Sequence, residues 1–112
     1  MNILQKKEYK RIKRSGLFDP SYYLFEYPDV RRADINPLVH YIQHGWKEGR
    51  NPSPYFDTHY YLETYPDIKA AKTNPLVHYI QHGWKEGRNP SADFDTKFYL
   101  EAYSDVKQAG ID

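Results

Sequence analysis

Between residues 38 and 46 the apolar positions Leu38, Tyr41, Ile42, Gly45 and Trp46 fall at i, i+3, i+4, i+7 and i+8, the spacing that lines one face of a helix. Asn36-Pro37 precedes them, giving a side chain that can cap free backbone N–H groups and a proline suited to the first helical position. The pattern predicts a helix opening at Asn36 and leaves two ends open. Either Gly45 is a left-handed terminator with Trp46 folded back on Tyr41, or the helix runs on and stops at Gly49. Pro52, in the following Arg50-Asn51-Pro52, rules out further helix.

A shorter pattern lies upstream. Asp19 can cap a helix whose first residue is Pro20, and Phe18 stands where it can staple onto Tyr23 one turn in. Tyr23, Leu24 and Tyr27 form the predicted inward face. Pro28-Asp29 then implies a kink or a second short helix, with Val30 and Ala33 as its buried residues. Further upstream, residues 2–15 contain good helix formers and no Gly or Pro, and Gly16 stands at the expected left-handed cap. The apolar stripe of that segment is narrow, comprising Leu4, Ile12 and Tyr9, and it is expected to lie over the next unit as a cap.

The whole pattern returns. The eighteen residues NPLVHYIQHGWKEGRNPS at 36–53 recur unchanged at 74–91, an offset of 38. The same offset aligns Phe18-Asp19 with Phe56-Asp57 and Phe94-Asp95, and Tyr23, Leu24 and Tyr27 with Tyr61, Leu62, Tyr65 and Tyr99, Leu100, Tyr103. It also aligns Pro28-Asp29-Val30 with Pro66-Asp67-Ile68 and Ser104-Asp105-Val106. A period in this range predicts stacked units that bury their apolar faces against one another. No alternating run of β-branched residues signals a strand. The expected fold is therefore all-α: a tandem array of short helices with a 38-residue repeat, preceded by a basic N-terminal helix. Residues 1–16 form that helix, and 17–112 form the repeat domain, divided into units 18–55, 56–93 and a partial 94–112. Asp112 aligns with the caps Asn36 and Asn74, so the sequence stops where a third second-half helix would begin.

Composition sharpens the picture. Twelve Tyr among 112 residues point to an aromatic, half-wet core. There is no Cys, which excludes disulfides and thiolate metal sites. No apolar run is long enough to span a bilayer, and the start has no signal-peptide core, so the expected location is cytoplasmic or peripheral to a membrane. The formal net charge of +1 hides an asymmetry, because Lys6, Lys7, Lys10, Arg11, Lys13 and Arg14 face Glu8 alone while the rest of the chain is net acidic. Residues 6–14 are thus a candidate for weak contact with an anionic surface. No nucleic-acid motif accompanies them.

Catalytic signatures are missing. Gly45 and Gly49 lack phosphate-loop spacing, no serine sits in a nucleophile elbow, and Asp19, Asp57 and Asp95 stand where capping explains them. The pairs His40/His44 and His78/His82 are spaced to share a metal ion, yet no third ligand is apparent, and neither a metal nor a cofactor is expected. Trp46 and Trp84 are readable as core or as platforms for a sugar ring. The remaining duplicated polar residues lack an evident structural reason. His40, His44, Lys47 and Arg50, with His78, His82, Lys85 and Arg88, are therefore the candidate binding surface, joined by Trp46 and Trp84.

The string SGLFDPSYYLFEYPDV, followed by NPLVHYIQHGWKEGRNPS and FDTHYYLETYPDI, resembles a repeat in bacterial proteins of surface-polysaccharide synthesis, including glycosyltransferases and RgpF-like rhamnan-synthesis proteins. The resemblance covers residues 15–112. It implies a shared structural pattern at Phe18, Asp19, Tyr23, Leu24, Pro28, Asp29, Pro37, His40, Tyr41, Gly45, Gly49 and Arg50 and their equivalents, and no catalytic residue. What it implies in function is a non-catalytic helical module, binding a protein partner or scaffolding polysaccharide assembly. The alternative is a carbohydrate-binding module whose repeated aromatic and basic residues hold a polysaccharide.

Overall fold

Most of the helices begin where a capping side chain meets a suitable first residue, whereas those opening at Pro28 and Pro66 have no side-chain cap. The computed structural model describes residues 1–108, with side chains through 102. The elements are α1 (Ile3–Ser15), α2 (Pro20–Glu26), α3 (Pro28–Ala33), α4 (Pro37–His40), α5 (Thr58–Thr64), α6 (Pro66–Ala71), α7 (Pro75–His78) and α8 (Thr96–Gln108). Asn2, Asp19, Asn36, Asp57, Asn74 and Asp95 all accept hydrogen bonds from first-turn backbone N–H groups. Among the described residues the chain is mostly helical and has no strand, only the isolated bridges Ser53–Phe56 and Ser91–Phe94. Asp112 lies outside the described residues.

The helix opening at Asn36 continues beyond α4 as a π-helical turn, Tyr41–Gly45, in which the Trp46 N–H reaches back five residues to the Tyr41 carbonyl at 3.1 Å. The same widened turn follows α7 at Tyr79–Gly83. Gly49 and Gly87, with φ near +77° and +75°, supply the left-handed turn, and Arg50 N–H closes onto the Gly45 carbonyl at 2.9 Å. Of the two ends open from sequence, Gly49 is the left-handed one. Gly45 serves another purpose: the hydroxyl of Tyr23 fills the place where its Cβ would stand, and Tyr61 does the same at Gly83.

Hydrogen bonds close each segment on itself. Asp19 N–H donates to the Pro52 carbonyl, Asn51 N–H to the Tyr27 hydroxyl, and Arg50 forks onto Asp29 at 2.9 and 2.8 Å. Their counterparts are Asp57 to Pro90, Asn89 to Tyr65, and Arg88 to Asp67. Different bonds tie one segment to the next. The fully buried Tyr41 hydroxyl meets Thr58 Oγ1 at 3.0 Å, and Asn51 Oδ1 accepts from Thr58 N–H at 2.9 Å. Tyr79, Thr96 and Asn89 repeat the arrangement. The first segment carries Pro20 in place of that Thr, where no preceding tyrosine has to be met.

The core comprises Ile12, Tyr23, Val30, Leu38, Tyr41, Ile42, Phe56, Tyr61, Ile68, Leu76, Val77 and Tyr79. Phe18 staples onto Tyr23 and Phe56 onto Tyr61, with ring centroids 5.4 and 5.2 Å apart.

Several expectations change. Ala33 is exposed, because α3 is too short to bury more than one turn and spends it on Val30. Leu4 is exposed as well, while Ile12 is buried and Tyr9 half-buried, so only the C-terminal half of α1 is anchored by its apolar stripe. Rather than capping the first segment alone, α1 lies across the widened turns of both segments and against α7. In the third pattern no break occurs at Ser104: α8 runs through to Gln108, since serine keeps the N–H and lacks the ring by which Pro28 and Pro66 interrupt the helix. Tyr99 is half exposed, unlike Tyr23 and Tyr61, because among the described residues it has no following helix to pack on.

Candidate functional site

The duplicated block divides its polar side chains between the frame and the surface. His40 belongs to the frame. It is 8% exposed, and its Nδ1 lies 2.7 Å from the Tyr23 hydroxyl. Burial raises the Tyr23 phenol well above its ordinary range, and burial, then Arg50, lowers His40. At neutral pH a neutral phenol and a neutral imidazole therefore share one hydrogen bond between the hydroxyl and Nδ1. Tyr61 and His78 form the same pair at 2.8 Å, with His78 Nε2 3.8 Å from Glu86. Burial again leads the lowering of His78.

Arg50 and Arg88 are also committed. Each holds its aspartate through two hydrogen bonds, stands 4.8 or 4.9 Å over the ring of Tyr27 or Tyr65, and contacts Glu48 or Glu86. The guanidinium forks hold Asp29 and Asp67 below the usual carboxylate range. The clamp ties the segment's last turn to the start of its second helix.

His44, Lys47, His82 and Lys85 remain exposed. Each lysine stands over the neighbouring indole, Lys47 at 5.7 Å from Trp46 and Lys85 at 5.6 Å from Trp84. Trp46 is half-buried, and its indole N–H donates to the Ile42 carbonyl at 3.0 Å, an acceptor the widened turn frees from the Trp46 amide. Trp84 is more open, 39% exposed. The structure thus brings a lysine and an indole together at one surface per segment, and in the second His82 lines the same shallow pocket as Trp84 and Lys85.

The histidine pairs sit with ring centroids 5.7 and 5.8 Å apart. Among the described residues no group of three His, Asp or Glu side chains is placed to hold a metal ion. No described helix is long and apolar enough to cross a membrane. Asn51, Asn89, Thr58 and Thr96, which make the joints, escaped the sequence reading. The replacement of Pro20 by Thr at the two later positions was the available signal.

No protein-family model, curated protein or solved structure matches the chain.

Proposed function

We propose that this chain is a non-catalytic helical module of stacked 38-residue units that binds a protein partner and scaffolds bacterial surface-polysaccharide assembly. The observation that carries the reading is the pair of duplicated surfaces, exposed His44 and Lys47 with half-buried Trp46 and exposed His82, Lys85 and Trp84, while the duplicated His40, Arg50, His78 and Arg88 are bonded within the fold. Equal internal bonds at an offset of 38, and dimensions of 50 × 30 × 28 Å, support stacked units over a rounded core. Stacking offers the same side chains twice along one body, which suits an extended partner. The resemblance to repeats of polysaccharide-synthesis proteins supplies the setting.

The test is affinity capture from a lysate of a capsule- or rhamnan-producing bacterium, with bound proteins identified by mass spectrometry. Recovery of a glycosyltransferase or polysaccharide-assembly protein by the native chain, and its loss from a Lys47→Glu/Lys85→Glu variant, supports the reading. Identical recoveries from both contradict it. Arg50 and Arg88 are unsuited to this test, because reversing them breaks the clamp to Asp29 and Asp67.

A second reading has its own observation. Each lysine over an indole makes a cationic aromatic shelf of the kind that stacks on a pyranose, so direct glycan binding is the alternative. Saturable quenching of Trp fluorescence by purified surface glycan favours it.

A further inference from the structure

The two segments differ in the surroundings of one capping asparagine, exposed at Asn36 and buried at Asn74. In the first, the Asn36 side chain caps Leu38 and Val39 through Oδ1, and its Nδ2 donates to the Tyr9 hydroxyl at 3.3 Å. In the second, Asn74 caps Leu76 and Val77 in the same way, but its Nδ2 has no partner although the residue is only 3% exposed. A buried amide donor without an acceptor costs on the order of 1–3 kcal/mol, so its retention asks for a reason.

That asparagine lines a cavity of about 400 Å³ between the N-terminal half of α1 and the turn that joins α6 to α7. Its rim carries Lys7 and Arg11 from α1, Lys47, and Lys72, the last with left-handed backbone at φ 54°. Glu8 is the only acidic lining residue, and burial pushes its carboxyl up. Trp46 closes one side, its ring fixed by the bond to the Ile42 carbonyl. The place corresponding to Lys72 in the first segment holds Asp34, so the positive rim is peculiar to this one copy.

We propose that this cavity binds a sugar-sized ligand carrying one oxyanion, a phosphate or a carboxylate, with the Asn74 amide donating to it, Lys72 and Arg11 neutralising its charge, and the Trp46 indole against its ring. The volume lies in the range of small-molecule sites, and one aromatic wall with few convergent polar groups is their usual composition. Four cations around a single carboxylate select for negative charge. The site goes beyond partner capture by the duplicated surface, and its test leaves Lys47, Lys85, His44 and His82 untouched.

The experiment titrates a Trp84→Phe protein, whose remaining tryptophan is Trp46, with glucose 1-phosphate, glucuronate, glucose and inorganic phosphate. Saturable fluorescence change with either charged sugar is expected, and the stronger of the two identifies the oxyanion. Asn74→Asp keeps the cap but turns the donor into a repelling acceptor, and Lys72→Asn removes a charge at a backbone conformation asparagine tolerates. Each variant is expected to weaken binding about tenfold or more, whereas Glu8→Gln tightens it several-fold. Melting curves accompany each titration, and Lys72→Asn, at an exposed position, decides the matter should Asn74→Asp fail to fold. Binding of glucose as tight as that of the charged sugars, inorganic phosphate binding equally well, an absent response to all four probes, or unchanged affinity in folded Lys72→Asn overturns the proposal.

Discussion

The hydroxyl of Tyr23 occupies the space in which a side chain on Gly45 would begin, so the ring of one helix and the backbone of another are fitted to each other without room for a methyl group. Tyr23 cannot swing aside, being fully buried and held by His40 at 2.7 Å. Gly45→Ala is therefore expected to destabilise the fold by about 1–3 kcal/mol, the usual cost of overpacking. Tyr23→Phe in the same chain removes the clashing oxygen, and the double variant should be more stable than the sum of the two single losses. Chemical denaturation of the four proteins measures the coupling. Strict additivity would show that the two do not share the space.

Tyr23→Phe alone leaves the His40 Nδ1 buried without its hydrogen-bond partner. The expected loss is about 1–2 kcal/mol in a denaturant melt. Tyr61→Phe should cost a similar amount through His78.

Stability should depend on pH through the same pairs. Burial holds His40 and His78 below their ordinary value of 6.5, so just below that pH the unfolded chain binds more protons than the folded one. Their contribution is fully present above about pH 6.5 and is lost as pH falls from there through the depressed folded values. Asp29 and Asp67, lowered by their arginines, lose their contribution only in the acid range below the ordinary carboxylate value. His40→Asn/His78→Asn, which keeps a polar group near the tyrosine hydroxyl, should flatten the fall in melting temperature just below pH 6.5 relative to the native chain. An equal slope in both proteins would assign the acid sensitivity elsewhere.

The joints between segments give a separate prediction. Thr58→Val removes the partner of the Tyr41 hydroxyl, and Thr96→Val that of Tyr79. The first should cost about 1–2 kcal/mol, since the Tyr41 hydroxyl is fully buried. Hydrogen exchange should show the loosening centred on α5 and the turn Tyr41–Gly45 rather than on α2. Uniform loosening would argue against a discrete joint.

Much of the helical layout was legible in the chain. Asp19, Asn36, Asp57 and Asn74 announce their helices because a cap is a local device, read within a few residues. The staple of Phe18 on Tyr23 is equally local. What lay hidden was decided across the fold. The widened turn Tyr41–Gly45 forms where Tyr23, from another helix, meets Gly45, and no spacing within residues 36–53 encodes that meeting. Arg50 read as a free surface charge because Asp29 lies 21 residues upstream in another pattern. His40 read as a surface residue for the same reason, its partner being on α2. Ala33 fitted an apolar periodicity that its short helix had no room to use. His44 and Lys47 are exposed.

The central claim is that the two exposed copies act together in capturing a partner. Its most direct measurement is the affinity of a protein recovered in the capture experiment for four chains of equal melting temperature: native, Lys47→Glu, Lys85→Glu and both. Each single change should weaken binding, and the pair should abolish it. Undiminished affinity in the doubly substituted chain would contradict the claim.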